Sequence, residues 1–259
     1  MIKRLIVPLL AFLPLAVFAQ GDDFGLDFSL EAQKKLSKQW SLGLEGEFRT
    51  RDNTKTADRW TAGLSLDYKV AKWLKASVGY TFLYDHNERI SYYDATDEAV
   101  IDGDAEVGDP KKSADYWGTR HRFNLSLTPS YKFGDFKFSL RERWQYTYRP
   151  EYTVDERWSY LDQKYDGKQK TYNGKGRSVL RSRLQVEYDK KKLALKPYIN
   201  VEFFNAWSVE KIRYQAGAAW EFSKQHALEA FYRYQTVRGD DDDRESDIHM
   251  IGLGYKFKF

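Results

Sequence analysis

FKFSLRERWQYTYR, residues 136–149, decides the fold. Phe136, Phe138, Leu140, Trp144, Tyr146 and Tyr148 hold one set of alternate positions; Lys137, Ser139, Arg141, Arg143, Gln145, Thr147 and Arg149 hold the other. Successive side chains of a strand point to opposite faces, so this segment has an apolar face and a strongly polar one. Only Glu142 breaks the pattern, falling on the apolar phase between Leu140 and Trp144. A β-bulge that turns it inward, a lateral opening or a contact with a partner would each account for it.

The same period of two recurs at 24–32, 40–48, 60–68, 74–84, 123–131, 180–188, 193–203, 212–222, 228–234 and 251–259, giving eleven segments in all. No helical period competes. The connections alternate. KKLSKQ, VAKW, KFGD, DKKK and SKQH are short, whereas RDNTKTAD, 85–116, 149–177, NAWSVE and RGDDDDRES are longer. Structureless loops of about 30 residues sit badly in a compact soluble domain. Short turns on one rim and long loops on the other are typical of an outer-membrane barrel.

The chain opens MIKRLIVPLLAFLPLAVFAQ, with Lys3 and Arg4 before an apolar run and Val17-Phe18-Ala19 before Gln20. This has the form of a secretory signal peptide over 1–19, leaving 20–259 as the barrel. There is no cysteine, hence no disulfide, thiolate metal site or lipid-attachment cysteine. The 42 Lys and Arg residues nearly balance 38 Asp and Glu, which argues against a nucleic-acid partner. The chain carries 19 Tyr, 16 Phe and 8 Trp. Trp40, Trp73 and Trp220 fall near short-turn ends and Trp60, Trp117 and Trp207 near long-loop ends, as two interfacial girdles require.

These features predict an all-β, transmembrane, antiparallel up-and-down barrel of about 10–12 strands, with short periplasmic turns and long extracellular loops. Alternation alone leaves a soluble barrel, with the apolar face inside, as the competing arrangement. Bacterial single-chain barrels have even strand numbers, yet eleven segments are present. With the C-terminus on the short-turn side, the first segment runs downward, so either a strand is hidden or one segment does not span.

RSVLRSRLQVEY (177–188), LALKPYINVEFF (193–204), IRYQAGAAWEFSKQHALEAFYRYQ (212–235) and IGLGYKFKF (251–259) resemble an outer-membrane β-barrel family of Gram-negative bacteria known only as a domain of unknown function. The resemblance implies a barrel, a signal peptide and an outer-membrane location. It implies no activity and no catalytic residue.

The polar face offers Arg141, Arg143, Arg181, Arg183, Glu187, Lys196, Glu202 and Arg213 as a luminal charged network. Pairing through the short turns sets Glu187 against Lys196 and Arg181 against Glu202, with Glu202 next to Arg213. Opposite charges facing across strands attract. Such a ladder either selects solutes in a narrow channel or fills and stiffens a closed structural or surface-interaction barrel. An outer-membrane hydrolase is the third possibility. It needs a histidine base, and only His86, beside Asp85, is placed for chemistry at the outer rim. DGDAEVGD (102–109) has Val107 where an EF-hand loop needs Gly, and DDDD (240–243) could gather divalent cations. No pattern calls for a cofactor. Tyr255, Phe257 and Phe259 end the chain on an amphipathic strand, which resembles the signal read by the outer-membrane insertion machinery. The expected partners are that machinery, outer-membrane lipid and lipopolysaccharide.

Overall fold

The computed structural model describes residues 23–190, 193–238 and 246–259. The signal peptide and the DDDD run expected from the sequence lie outside them. Eleven long strands close on themselves: β1 (Asp23–Lys35), β2 (Trp40–Arg51), β3 (Thr56–Lys69), β4 (Leu74–Tyr92), β5 (Pro110–Phe133), β6 (Phe136–Arg149), β11 (Lys175–Tyr188), β12 (Leu195–Ala206), β13 (Ser208–Glu221), β14 (His226–Val237) and β15 (Ile248–Lys258). A four-residue helix, α1 (Glu98–Ile101), follows β4. Four short strands follow β6: β7 (Tyr152–Val154), β8 (Trp158–Ser159), β9 (Lys164–Tyr165) and β10 (Lys170–Tyr172).

Every long strand pairs with its neighbours in chain order, β4 pairs with β5, and β6 pairs with β11. The sheet closes between β1 and β15, which run parallel in register from Asp23↔Ile248 to Gln33↔Lys258. Parity explains this pair. An even meander ends on a strand antiparallel to its first, whereas an odd one ends on a strand running the same way. The seam of eleven strands therefore uses evenly spaced, slanted parallel bonds. No strand is hidden among the described residues and none fails to span. At 11 or more residues each, all reach the roughly 9–11 that a tilted strand needs to cross a bilayer.

Apolar side chains point outward. Leu30, Leu44, Leu64, Val78, Leu125, Leu184, Ile199 and Leu253 are exposed, while many charged and polar side chains are buried, among them Asp27 at 1%, Asp85 at 3%, Arg59 at 5% and Glu202 at 5%. The soluble alternative is thereby overturned, since its apolar face would be the core. Trp40, Trp73 and Trp220 at one rim, and Trp60 and Trp207 at the other, are exposed.

Four expectations about the connections change. The 52–55 segment is a tight turn, in which Asp52, Asn53 and Thr54 all take positive φ. The Asp23 carboxylate holds it by accepting the Asp52 and Asn53 N–H groups at 3.0 and 2.9 Å. NAWSVE reduces to Trp207 alone, at φ 73°, between β12 and β13. The 85–116 segment is mostly strand. β4 and β5 continue past the other strands as a hairpin, paired from Asp85↔Gly118 to Tyr92↔Pro110, leaving 93–109 as its tip.

The 150–174 segment is likewise structured. β7 pairs with β10, and β8 pairs with both β9 and the raised part of β5. Tyr116 stacks on Tyr152 at 4.5 Å and on Tyr172 at 5.7 Å, and packs with Ala114 and Val154 into a small second core. Asp166 clamps this layer through Lys112 at 2.8 Å and Arg157 at 3.1 Å. The Lys112 ammonium beside Asp166 holds its carboxyl well below the usual carboxylate range.

Candidate functional site

Strand alternation sends charged side chains into the lumen, where a carboxylate survives burial only if paired and hydrogen-bonded. Among the described residues, Asp85, Asp27 and Glu202 each meet this in the same way, with one acid gripped by two arginines. Asp85 on β4 takes Nε of Arg59 from β3 and Nε of Arg120 from β5, the latter at 2.7 Å. Asp27 on β1 takes Arg49 of β2 at 3.2 Å and Arg233 of β14 at 2.7 Å, the second reaching past β15. Glu202 on β12 takes Arg181 at 2.8 Å and Arg141 at 2.5 Å, the second reaching past β11.

Of the residues expected in the network, Arg141, Arg181 and Glu202 meet directly. Arg213 is the in-register partner of Glu202; its Nε donates to Gln235 at 2.7 Å, and its guanidinium lies over the Phe204 ring. The Arg181 guanidinium lies over the same ring, 4.4 Å from the Phe204 centroid. Arg143 donates to Ser126 at 3.0 Å. In register, Arg183 faces Glu202 and Arg181 faces Phe204, one pair removed from the arrangement expected. The same shift separates Glu187 from Lys196. Glu187 faces Tyr198 and reaches Lys137 at 3.9 Å, while Lys196 binds Glu221 at 2.7 Å and Asp189 at 3.4 Å near the short-turn rim.

The cavity enclosed by these groups has a volume of about 380 Å³. Thirteen arginines and two lysines line it against four glutamates, Glu45, Glu47, Glu202 and Glu210, so it is strongly cationic. It reaches outward to Arg89, Lys175 and Lys211. Toward the short-turn rim the lining ends at Arg183, Asn200, Gln215 and Arg233. The next luminal residues on β12 and β14 are Tyr198 and Phe231, both 8% exposed. Phe231 lies against Gly252, where an added Cβ would come within 2.0 Å of the ring. Tyr198 donates its hydroxyl to Glu229 and accepts from Gln215.

The Arg59–Asp85–Arg120 and Arg49–Asp27–Arg233 clamps were not among the sequence candidates. Their signal was available, because each residue lies on the polar phase of its strand; Asp85 was hidden by being placed in a loop. His86 lies on β4 with Asp85 on the opposite face, and pairs instead with Asp115, stacked on Trp117 at 5.2 Å. His121, His226 and His249 each hydrogen-bond a tyrosine hydroxyl, of Tyr80, Tyr255 and Tyr232. Glu142 is not turned inward. β6 and β11 stay in register through it, and Glu142 accepts the hydroxyl of its outward-facing partner Ser182 at 2.7 Å. Among the described residues no group of three or more His, Asp or Glu could hold a metal ion.

A closed sheet, apolar outside and charged within, defines an outer-membrane-type β-barrel. Residues 24–246 match the family described as "Protein of unknown function (DUF2490)", and the chain belongs to that family. No curated protein matches the sequence. Among solved structures, the beta domain of the Bordetella autotransporter BrkA is similar at a TM-score of 0.53 and 15% identity, over 85% of this chain and 83% of that one. The translocator domain of the autotransporter NalP from Neisseria meningitidis gives 0.44 and 13%, over 79% and 71%. The CymD monoaromatic hydrocarbon channel gives 0.37 and 11%, over 83% and 82%. At such identities the likeness to the BrkA domain is one of fold.

Proposed function

We propose that the chain is exported by its signal peptide and inserted in the outer membrane as a barrel whose lumen opens toward the long loops and is shut toward the short turns. It then holds a small solute instead of passing solutes freely. The observation that carries this reading is where the cavity ends: its lining stops above Tyr198 and Phe231. Tyr255, Phe257 and Phe259 serve the insertion machinery, and the apolar outer face meets lipid and lipopolysaccharide.

A narrow channel for small solutes is the second reading. It is favoured by the small luminal residues Gly43, Gly63, Gly79 and Ser126 on β2–β5, which take up little of the lumen at those positions. Planar-bilayer recording separates the two. A shut lumen gives no ohmic current from the wild-type protein at 100 mV, on the order of the potentials that act across membranes, and current appears in Phe231→Ala. Steady current from the wild type refutes the shut lumen and establishes the channel.

A further inference from the structure

The arginine excess is concentrated where β6 and β11 pair. Arg141 faces Arg183 and Arg143 faces Arg181 as direct cross-strand partners. Like charges in that position repel. Glu202 neutralises part of the quartet through Arg141 and Arg181. Arg143 bonds only the Ser126 hydroxyl, and Arg183 makes no hydrogen bond or salt bridge among the described residues. The buried Nε of Arg141 also lacks a partner there. Glu45, on the far wall, lines the same cavity but forms no salt bridge to the quartet among the described residues. Guanidinium groups withdrawn from bulk water and not matched by carboxylates are costly, and an oxyanion removes that cost. Arginine suits the task, because its planar fork of donors fits two oxygens of one anion. A phosphate group carries about −1.5 to −2 charge near pH 7 and three acceptor oxygens, which offsets much of the residual charge and answers the open donors.

We propose that Arg141, Arg143, Arg181 and Arg183 form a binding site for a phosphate group that enters from the long-loop mouth. It is carried either by a small phosphorylated solute or by a phosphorylated lipid headgroup. The inference rests on the outward-open cavity proposed above and is independent of whether the barrel conducts, so binding and conductance can fail separately. The test is calorimetric titration of the folded full-length barrel, in phospholipid-free detergent at fixed ionic strength, with inorganic phosphate.

Saturable binding is expected, weakened at least tenfold in Arg143→Gln/Arg183→Gln and tightened in Glu202→Gln. Lys35→Gln/Lys72→Gln removes two charges outside the cavity and leaves the affinity unchanged. Wild-type protein that takes up no phosphate, or a double arginine variant that binds as wild type, overturns the site. If the double variant does not fold, Arg183→Lys decides, because it keeps the charge and loses the fork: weaker binding supports the site and equal binding overturns it. Displacement of bound phosphate by glycerol phosphate identifies a soluble carrier, and displacement by diphosphorylated lipid A alone identifies a headgroup. Displacement by neither overturns the proposal.

Discussion

Asp85→Asn tests whether the arginine–acid–arginine clamps hold the barrel together. The Asp85 side chain is 4% exposed and sits between Arg59 at 6% and Arg120 at 9%. Arg59 is its direct cross-strand partner, so the geometry is fixed by the β3–β4 ladder and not by flexible side chains. Asparagine keeps the volume but removes the charge, and one of its two acceptor oxygens becomes a donor facing the guanidinium groups. Breaking a buried pair typically costs about 3–5 kcal/mol, because the remaining charge is stranded. Two cations lose this carboxylate here, but the cavity admits water, so about 3–4 kcal/mol is expected. The exposed pair Lys75–Asp67, at 3.4 Å with the lysine 49% exposed, is the control. Its disruption costs under about 1 kcal/mol. Reversible urea unfolding in lipid vesicles, followed by tryptophan emission and heat-modifiable gel migration, measures both. The triple change Arg59→Met/Asp85→Leu/Arg120→Met, which replaces the ion cluster with apolar groups of similar bulk, returns stability to within about 1 kcal/mol of wild type. Asp85→Asn within 1 kcal/mol of wild type, or a triple variant as unstable as the single one, would refute the reasoning.

Two further outcomes follow from packing at the seam and in the lower lumen. Gly252→Ala places a methyl group against the Phe231 ring, where the built Cβ comes within 2.0 Å. It destabilises the barrel by about 1–3 kcal/mol, as overpacking does, and Phe231→Leu in the same chain recovers most of the loss; equal cost with and without Phe231→Leu would locate the strain elsewhere. Phe259 donates its N–H to Gln33 at 2.9 Å and accepts from Lys35 at 3.0 Å, so its main chain joins β15 to β1 at the seam. Deletion of Phe259 removes both bonds as well as the aromatic side chain, whereas Phe259→Asp removes only the side chain. Membrane assembly, scored by the heat-modifiable fraction in isolated outer membranes, therefore falls for both and further for the deletion. Full assembly of either sinks the role of the last residue.

Residues 136–149 illustrate how much of this protein is written locally. Period-two alternation is a property of each strand by itself, so the two faces of β6, and the luminal placement of Arg141 and Arg143, could be read without a partner strand. The alternating connections and the Trp positions belong to the same local record. Glu142 shows its limit. Its phase pointed outward, as the structure has it, but its companion Ser182 lies 40 residues away and is brought to it only by the β6–β11 register.

What tertiary structure alone decided is everything that depends on closure. Which face is inside is not written in any one strand: the loop asymmetry and the Trp positions pointed to an apolar exterior, and closure of the sheet realises it. The odd strand number became a parallel seam only because the first and last strands meet. The hairpin of β4 and β5 could outgrow the barrel because each strand satisfies the other's backbone groups, which took His86 and Asp85 out of the loop in which the sequence had placed them. The clamps at Asp27, Asp85 and Glu202 join two or more strands, and in two cases reach past an intervening one. Such diagonal contacts are fixed by the shear between strands, a quantity that no single strand encodes.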